Sequence, residues 1–531
     1  MKYIIITGGV ISGLGKGITS SSIGLLLKSR GINVTAIKID PYLNIDAGTM
    51  SPFEHGECYV LSDGGEGDLD LGNYERFVGL ELTRDHNITT GKIYQNVITK
   101  ERAGKYLGKT VQIVPHITNE IQEWISKVSL LPVDDDNNVP NVCLVEIGGT
   151  IGDMETAPFI EAIRQMSQND HHQFCFVHVS LIVTAGLELK TKPTQHSVAA
   201  LRKLGIFPNF LVLRTPQILN SKQLKKLNIF CQVPEDHIIS NINVPNIYYV
   251  PAVFKEQHIC DKISKVLNIK YKHDYKLNDY YKIIKYFNSN LRKIKLVIAG
   301  KYLGSNDTYL SLIRAIEHAS FTVGVCVEIS WLDAEDVEKQ DENALRMLGE
   351  CNGVIIPGGF GERGINGKII VANYVRIKKI PLLGICLGMQ IMVVEFAKHI
   401  GLDADSTEWN PKTPNPVIDI LPGQTGIMGG TMRIGNYTTQ LKDKFKVQQL
   451  YGTNEIIERH RHRYEVNNKY VDILEKNGLH FIGTSNNGKL MEIIELEDHP
   501  YYIGTQYHGE FKSRYNKPHP LFVGLLQATI K

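Results

Sequence analysis

A cysteine flanked by two glycines is the sharpest chemical signal in the sequence. Cys386 lies two residues from both Gly384 and Gly388, where a short apolar run meets a longer helical pattern. This spacing is typical of a nucleophile elbow, a tight strand-to-helix turn whose small neighbours allow close approach to the nucleophile. Because a helix N-terminus carries partial positive charge, a thiol placed there ionises more easily. The pattern predicts a thiol nucleophile.

Two further motifs could complete a catalytic set with that thiol. His508 and Glu510 are two residues apart, so in an extended segment their side chains face the same side. A carboxylate in that position can orient the imidazole that exchanges a proton with the thiol. Upstream, Pro-Gly-Gly-Phe-Gly at 357–361 follows a predicted strand, and its N–H groups could form an oxyanion hole with that of Leu387.

The N-terminal residues predict a phosphate site. A glycine-rich segment at 7–17 lies between a predicted strand and a predicted helix that runs from Gly17 to Arg30. Its sequence is Thr-Gly-Gly-Val-Ile-Ser-Gly-Leu-Gly-Lys-Gly. Glycines let backbone N–H groups approach a phosphate, the helix N-terminus favours negative charge, and Lys16 can meet the terminal phosphates. The spacing differs by one residue from the standard phosphate-loop pattern.

Carboxylates and lysines follow the other predicted strands of this half. Lys38 lies near the end of the second strand, and open sheets bind ligands at the carboxyl ends of their strands. Asp70 and Glu146 could jointly hold Mg²⁺, a hard cation that bridges nucleotide phosphates. Lys-Thr-Lys-Pro-Thr-Gln at 190–195 suits a polyanionic ligand, although the motif alone is weak.

A basic run, Arg-His-Arg-His-Arg at 459–463, has three interpretations. It is a solvated face, a metal-binding histidine pair or an anion site. The metal site is the least favoured, because no nearby Cys or acid completes a ligand set.

Short apolar runs alternate with helical stretches, which predicts α/β architecture. Because the strands are apolar on both faces, they suit parallel sheets covered by helices. A segment rich in Lys, Tyr and Asn begins near Asn268 and divides the chain into domains at 1–268 and 294–531, with a linker at 269–293. The predicted strands are Lys2–Thr7, Val34–Ile39, Val142–Ile147, Phe176–Ile182, Asn209–Leu213, Ile294–Gly300, Gly353–Ile356, Pro381–Ile385 and Tyr501–Gln506.

Composition excludes several classes of protein. The 531 residues are 43% hydrophobic and 21% charged, which rules out disorder for the bulk of the chain. A net charge of +2 disfavours a general nucleic-acid or membrane-surface binder. No apolar run approaches a membrane span, and the N-terminal run is too short for a signal peptide. Eight scattered cysteines without a CxxC pair favour a reduced, cytoplasmic protein.

Together these motifs resemble the CTP synthase family of glutamine-dependent amidotransferases, in its eukaryotic form, over nearly the whole chain. The resemblance rests on GGVISGLGKG, KIDPYLNIDAGTMSPFEHGE, DLDLGNYERF, EIGGTIGD, KTKPTQHSV, PGGFGERG, GICLGMQ, RHRHRYEVN and QYHGEF. It implies two doubly wound domains, a P-loop-like synthetase (amidoligase) domain followed by a class I glutamine amidotransferase domain.

The resemblance also implies an activity and its regulation. Such enzymes make CTP from UTP, ATP and glutamine, by way of a 4-phosphorylated UTP that ammonia then aminates. Mg²⁺ accompanies ATP, GTP activates the glutaminase, and CTP inhibits by competing with UTP. The family implies a cytoplasmic homotetramer that can form filaments.

The family's functional positions carry over residue by residue. The catalytic triad is Cys386, His508 and Glu510. The glutamine-binding positions are Gly359, Leu387, Gly388, Met389, Gln390, Glu408 and Arg463.

The ATP phosphate loop is Gly13, Leu14, Gly15, Lys16, Gly17 and Ile18, with Lys16 on the transferred phosphate, and Ser12 lies where UTP and CTP phosphates contact the loop. Asp70 and Glu146 match the Mg²⁺ ligands, and Lys38 matches a further lysine of the synthetase site. Asp153, Met154 and Glu155 match the CTP-recognition segment. The UTP-binding positions are Lys190, Thr191, Lys192, Pro193, Thr194, Gln195 and Lys226, and adenine is held at Ile242, Asn243 and Val244.

Two departures from the family pattern affect the expected sites. Gly509 replaces the family's proline between His508 and Glu510, which loosens the backbone but keeps both side chains. The loop at 183–189, before the KTKPTQ motif, is shorter than the family's loop at the UTP site.

Two other functions remain open. One is a different ATP-dependent amidoligase fused to a glutaminase, such as a cofactor-diamide synthetase, although KTKPTQ and DLDLGNYERF favour a pyrimidine nucleotide. The other is a structural filament protein with a decayed active site, which the intact set of predicted catalytic and metal-binding residues argues against.

Overall fold

The computed structural model describes residues 1–134, 137–186, 188–301, 306–421 and 432–530. The chain divides into two compact units, each built from two stretches of sequence. The first unit comprises 1–47 and 70–284, and the second comprises 48–69 and 285–531. The short stretch at 48–69 therefore packs with residues far away in the sequence.

The described strands, in chain order, are β1 (Lys2–Gly8), β2 (Val34–Asp40), β3 (Tyr59–Val60), β4 (Glu66–Gly67), β5 (Asn87–Thr89), β6 (Val142–Ile147), β7 (Phe174–Leu181), β8 (Val183–Ala185), β9 (Glu188–Lys190), β10 (Phe210–Thr215), β11 (Ile238–Ile242), β12 (Arg292–Gly300), β13 (Val325–Asp333), β14 (Gly353–Ile356), β15 (Leu382–Ile385), β16 (Ala404–Ser406), β17 (Asn415–Ile420), β18 (Arg433–Leu441), β19 (Glu455–His462), β20 (Tyr464–Val466), β21 (Leu479–Ser485), β22 (Leu490–Leu496) and β23 (Tyr502–Thr505).

The described α-helices are α1 (Lys16–Lys28), α2 (Pro52–His55), α3 (Leu69–Val78), α4 (Thr90–Arg102), α5 (Thr118–Val128), α6 (Ala157–Asn169), α7 (Lys192–Lys203), α8 (Ser221–Cys231), α9 (Val250–Glu256), α10 (Ile259–Leu267), α11 (Asn278–Phe287), α12 (Leu310–Val323), α13 (Ala334–Glu338), α14 (Glu342–Glu350), α15 (Ile365–Lys378), α16 (Leu387–His399), α17 (Lys446–Tyr451), α18 (Val471–Lys476) and α19 (Pro520–Ile530). Within the described ranges, every helix is too short or too polar to cross a membrane.

The first unit is built on a parallel sheet whose described strands run in the order β11-β10-β7-β1-β6-β2-β5. All six pairings are parallel. The central strands are buried on both faces, as their uninterrupted Ile and Val runs predict. Because the strands are parallel, the loops after β1, β2, β6, β7 and β11 all emerge at one edge, and the predicted nucleotide-binding motifs lie in or beside them.

The second unit is built on a mixed sheet. Its described strands run in the order β13-β12-β14-β15-β23-β22-β21-β18-β19. The pairings from β13 to β23 are parallel, and those from β23 to β19 are antiparallel. Residues of α16 are buried on all sides of the helix, which places it between the sheet and the surrounding elements.

The predicted α/β architecture is confirmed in both units. The predicted strands are all present. Val142–Ile147 and Gly353–Ile356 have the expected bounds, and the ends of the others move by at most two residues: the strand expected at Phe176–Ile182, for example, runs from Phe174 to Leu181. The segment at 269–293 contains α11, and β12 begins at Arg292 rather than at Ile294.

Close packing at the start of α16 requires a glycine at position 388. A Cβ added to Gly388 would lie 2.9 Å from the carbonyl carbon of Ile356, and closer still to its oxygen. Ile356 ends the neighbouring strand β14, so its backbone cannot move without disturbing the parallel sheet.

We therefore predict that Gly388→Ala destabilises the second unit by about 1–3 kcal/mol, the usual cost of overpacking a filled interior. Gly349→Ala is the matched control. Gly349 lies in α14, and its added Cβ would lie 3.8 Å from Tyr374 Oη, an ordinary van der Waals distance. The control should be neutral, or more stable by about 0.5–1 kcal/mol, because alanine favours helix interiors over glycine. Thermal unfolding measures both. Equal unfolding midpoints for the two variants would contradict the packing argument.

Candidate active sites

Cys386 occupies a strained turn between β15 and α16. Its backbone angles are φ 52° and ψ −105°, an unusual conformation for a residue with a side chain. The backbone N–H of Cys386 donates to the carbonyl of Thr505 at 2.6 Å, which holds the turn against β23. The strand–turn–helix geometry expected of a nucleophile elbow is therefore present, and the thiol lies at the N-terminus of α16.

His508 and Glu510 form a hydrogen-bonded pair beside the thiol. His508 Nδ1 lies 2.8 Å from a carboxylate oxygen of Glu510, and both side chains are largely buried. Burial alone would lower the pKa of His508, but the Glu510 carboxylate and the Cys386 thiol outweigh it and raise that pKa to about 10. The imidazole is therefore held in its protonated form.

A cavity of about 500 Å³ in the second unit opens onto this triad. Gly358 lies at its inner wall, where an added Cβ would sit 2.8 Å from His508 Cε1 and 3.6 Å from Cys386 Cβ. The lining residues are Gly48, Thr49, Met50, Pro52, Glu57, Cys58, Thr308, Tyr309, Leu312, Pro357, Gly358, Gly359, Phe360, Cys386, Met432, Arg461, Arg463, His508, Glu510 and Phe511. Such a cavity can hold a small polar substrate against the thiol.

The predicted glutamine-binding residues lie around this cavity in different roles. Gly359 and Arg463 line it directly. Glu408 accepts a 3.0 Å hydrogen bond from the N–H of Gly361, in the same glycine-rich loop. Gln390 is buried, and its amide donates to the carbonyl of Tyr464 at 2.9 Å. Leu387, Gly388 and Met389 are buried in the first turn of α16, where they pack directly after Cys386.

One wall of the cavity comes from residues for which sequence reasoning found no role. Glu57 accepts hydrogen bonds from the backbone N–H of Ser311 at 2.8 Å and from its hydroxyl at 2.5 Å. Arg461 donates to Glu66 at 2.7 Å and to the carbonyl of Gly48 at 3.2 Å. Residue spacing gives no signal that this stretch meets the thiol, because 48–69 lies more than 200 residues before the other lining residues, although part of it belongs to the motif KIDPYLNIDAGTMSPFEHGE.

The basic run at 459–463 is not a solvated face. Arg459, His460 and His462 are buried on β19, and Arg459 donates to the carbonyl of Val60 at 2.9 Å. His460 Nδ1 lies 3.0 Å from His462 Nε2, and burial holds the pKa of both imidazoles well below the usual range. In the described part of the chain, no group of three or more His, Cys, Asp or Glu side chains is arranged to hold a metal ion.

The phosphate loop of the first unit lies between β1 and α1. Gly13 and Gly15 have left-handed φ angles of 69° and 92°, and an added Cβ at either would meet open space. The ammonium of Lys16 donates to the carbonyl of Gly149 at 3.0 Å, so the lysine reaches from the loop across to the turn after β6. Burial lowers the pKa of Lys16. Of the remaining loop residues, Ser12 precedes Gly13, Leu14 lies between the two glycines, and Gly17 and Ile18 lie in the first turn of α1.

Three charged side chains converge beside this loop. Lys38 forms an ion pair with Asp70 and lies 3.3 Å from a carboxylate oxygen of Glu146. Burial raises the pKa of Glu146 to about 7, whereas Lys38 overcomes the effect of burial on Asp70 and holds that pKa low. Asp70 also packs against the first turn of α1, since a Cβ on Gly17 would lie 2.6 Å from its Cγ.

These carboxylates fit a magnesium ion that is shared with a nucleotide. Mg²⁺ prefers oxygen ligands, and it is usually bound by one or two carboxylates together with substrate phosphates. Asp70 and Glu146 supply two such groups beside the phosphate loop, with Lys38 partly neutralising them. Two carboxylates are too few for a closed protein cage, which agrees with a metal that arrives with its phosphate ligands.

The other predicted nucleotide positions lie at the same edge of the sheet. Asp153 accepts a 2.8 Å hydrogen bond from the N–H of Thr150, which shapes the turn after β6, while Met154 and Glu155 are exposed. The predicted adenine positions are Ile242, which ends β11, and the next two residues, Asn243 and Val244. β11 is three strands away from β1 in the sheet.

Only part of the 190–195 motif is available to a ligand. Lys190 and Lys192 are exposed, Pro193 is half-buried, and Lys226 is exposed on α8. Thr191, Thr194 and Gln195 are buried, and Gln195 donates to the hydroxyl of Thr191 at 2.9 Å. The two threonines and the glutamine therefore stabilise the start of α7. The preceding short loop forms the hairpin β8–β9, and Leu187 within it lies outside the described residues.

Comparisons with known proteins cover both units. Residues 2–269 match the family described as CTP synthase N-terminus, and residues 305–528 match glutamine amidotransferase class-I. A CTP synthase of Archaeoglobus fulgidus is 50% identical over 537 residues, covering 100% of this chain and 99% of the relative. The CTP synthase of Dictyostelium discoideum is 47% identical over 564 residues, covering 100% and 99%. CTP synthase 1-B of Xenopus laevis is 48% identical over 548 residues, covering 100% and 93%.

Archaeal and eukaryotic relatives thus match at similar identity along their full lengths. The two units described above correspond to the ligase and glutaminase parts of these enzymes. The chain belongs to the CTP synthase family, the glutamine-hydrolysing ligases that use ATP to convert UTP to CTP.

Proposed function

We propose that the two units divide the synthesis of CTP between them, with glutamine hydrolysis at Cys386 and activation of UTP at the phosphate loop. The observation that carries the proposal is the triad. A thiol at a helix N-terminus and a histidine whose Nδ1 lies 2.8 Å from a carboxylate oxygen meet at one cavity, and that carboxylate raises the pKa of the histidine. We keep the domain boundaries at 1–268 and 294–531, with the linker at 269–293, as part of this proposal.

In the glutaminase unit, the Cys386 thiolate attacks the carboxamide carbon of glutamine. The N–H groups of Gly359 and Leu387 stabilise the oxyanion that forms, and Glu408 and Arg463 bind the amino acid ends of the substrate. His508 gives its proton to the departing ammonia and then accepts one from the water that cleaves the thioester. Glu510 keeps the imidazole oriented throughout.

In the synthetase unit, ATP phosphorylates O4 of UTP and ammonia then displaces the phosphate. Lys16 stabilises the charge on the transferred phosphoryl group, because a cation so placed lowers the energy of the transition state. Asp70 and Glu146 hold Mg²⁺, which supplies further positive charge to the phosphates. Lys38 positions the two carboxylates, and the exposed Lys190, Lys192 and Lys226 attract the triphosphate of UTP.

Regulation and assembly complete the proposal, and family membership supports them. GTP activates the glutaminase, and CTP competes at the UTP site, where Asp153, Met154 and Glu155 belong to the segment that recognises CTP. The enzyme works as a cytoplasmic homotetramer that can form filaments.

Cys386→Ala should separate the two activities. Without the nucleophile, glutamine-dependent CTP formation falls by about 10⁴-fold or more. Synthesis from added ammonium chloride survives, because amination of UTP takes place in the first unit. Absorbance assays of CTP formation compare the two nitrogen donors. Cys351→Ala is the control, since burial raises the pKa of that thiol to about 11 and makes it a poor nucleophile. Loss of both activities in a folded Cys386 variant would contradict the division of labour.

Lys16→Ala should abolish CTP formation with either nitrogen donor, by at least about a thousandfold. The reason is that phosphorylation of UTP precedes amination whatever the source of ammonia. Lys28→Ala is the control. Lys28 lies at the other end of α1, away from the phosphate loop, and forms an ion pair with Asp134, so this variant should leave both rates unchanged. Near-normal ammonia-dependent synthesis by the Lys16 variant would show that the loop does not bind the transferred phosphate.

Glu510→Ala should have a milder effect than Cys386→Ala. The carboxylate stabilises the imidazolium, so its removal lowers the pKa of His508 from about 10 and the histidine loses its charge at a lower pH. The rate of Cys386 alkylation by iodoacetamide, followed across pH, reports this change, and glutamine-dependent CTP formation reports its consequence. If the variant were as inactive as Cys386→Ala, Glu510 would do more than orient the base.

A further inference from the structure

A buried polar cluster lies directly behind the His508–Glu510 segment, and none of its side chains is among those that line the cavity. We call it the His519 cluster: His519, Glu458, Tyr451 and Tyr507. His519 Nε2 lies 2.9 Å from the hydroxyl of Tyr451 and 3.2 Å from a carboxylate oxygen of Glu458. The Tyr451 hydroxyl donates to the same carboxylate at 2.9 Å and lies 3.0 Å from the hydroxyl of Tyr507.

The cluster fixes the orientation of the His519 ring. A carboxylate only accepts hydrogen bonds, so the contact with Glu458 places the proton on Nε2. Burial alone would raise the pKa of Glu458, but His519 and its other neighbours lower it, which keeps this acceptor charged. The backbone N–H of His519 donates to Ser513 at 3.2 Å, and the ring packs edge-to-face on Phe522. A ring held at so many points cannot turn freely.

The part of this ring that contains Nε2, Cε1 and Nδ1 lies against Gly509, the residue between the base and its carboxylate. A Cβ added to Gly509 would sit 2.6 Å from His519 Nε2 and 2.9 Å from Nδ1, well inside contact distance. The ring therefore occupies the space of the missing side chain. Nδ1 has no hydrogen-bond partner among the residues that the structure describes.

The same strand holds the segment from a second point. Glu458 and Arg459 are neighbours on β19, and the carbonyl of Arg459 accepts a 2.8 Å hydrogen bond from the backbone N–H of His508. Arg459 thus binds the backbone of His508 directly, and Glu458 acts through His519 on Gly509.

We propose that His519 is a positioning residue for the glutaminase reaction, which sets the His508–Glu510 geometry by pressing a fixed ring against Gly509. This inference depends on the proposed roles of Cys386, His508 and Glu510. His519 touches neither substrate nor thiol. It acts on the peptide that joins the base to its carboxylate, where a shift of about 1 Å can cost on the order of a hundredfold in rate.

The expected kinetic signature follows from that role. His519→Ala should lower the glutamine-dependent kcat by about 10- to 100-fold and leave the KM for glutamine nearly unchanged, since the cavity walls are intact. CTP formation from ammonium chloride should be unaffected. His519→Gln, which keeps a donor for Glu458, should recover part of the loss.

A double-mutant cycle tests the contact itself. Gly509→Ala should lower the glutamine-dependent kcat, because the new methyl group displaces the ring. In the His519→Ala background the same methyl group finds vacant space, so it should cause little further loss. The coupling between the two positions should therefore be large, as it is for residues in direct contact.

A second buried histidine provides the matched control. His499 is 3% exposed, accepts a 3.2 Å hydrogen bond from the N–H of Tyr501, and lies outside the cavity. His499→Ala should lower the unfolding midpoint without changing kcat. If His519→Ala is poorly folded, His519→Gln and Gly509→Ala carry the comparison.

Two results would overturn the inference: an unchanged glutamine-dependent kcat in a folded His519→Ala, or independent effects of the two substitutions in the cycle. Cys386→Ala, assayed alongside, distinguishes a failure of the proposed function from a failure of the positioning role of His519. If it keeps glutamine-dependent activity, the proposed function fails. If it loses that activity while His519→Ala does not, only the positioning role fails.

Discussion

The parallel pairing of β15 with β23 is the constraint on which the glutaminase site depends. Ile385 is paired with Thr505, so the chain leaves both strands at the same level of the sheet. The next residue after β15 is Cys386, whose N–H is held by the Thr505 carbonyl, and His508 follows three residues after β23. A residue with φ 52° and ψ −105° costs roughly 1–3 kcal/mol, and it persists because the surrounding sheet determines its position.

Buried charge distinguishes the two sites. In the glutaminase unit the Glu510 carboxylate raises the pKa of the buried His508, so this imidazole carries a positive charge beside Cys386. In the synthetase unit Lys38 compensates Asp70 and Glu146, which lie close to each other and would otherwise repel. Burial opposes the charges of His508, Asp70 and Glu146. Charged partners outweigh burial at His508 and Asp70, whereas at Glu146 burial prevails and raises the pKa to about 7.

Sequence reasoning correctly predicted those features that depend on a few neighbouring residues. The strands follow from runs of Ile and Val, and the turn at Cys386 from its two glycines. The contact between His508 and Glu510 is present, but Gly509–Lys512 forms a 3₁₀ helix and not the extended segment that the spacing argument assumed. The burial of the 459–463 run could not be predicted, because alternating Arg and His on a strand normally indicate a solvated face. Arg459 is buried because it binds the carbonyl of Val60, some 400 residues earlier in the chain.

By itself the sequence determined the α/β class, the family, and the side chains able to perform each chemistry, because these depend on residue types and short spacings. Only the tertiary structure decided which residues surround the thiol. The cavity wall at 48–58 and the ring of His519 against Gly509 arise from contacts between distant segments. Such contacts form when separate elements bury their surfaces against one another, and no local pattern records which partner they will meet.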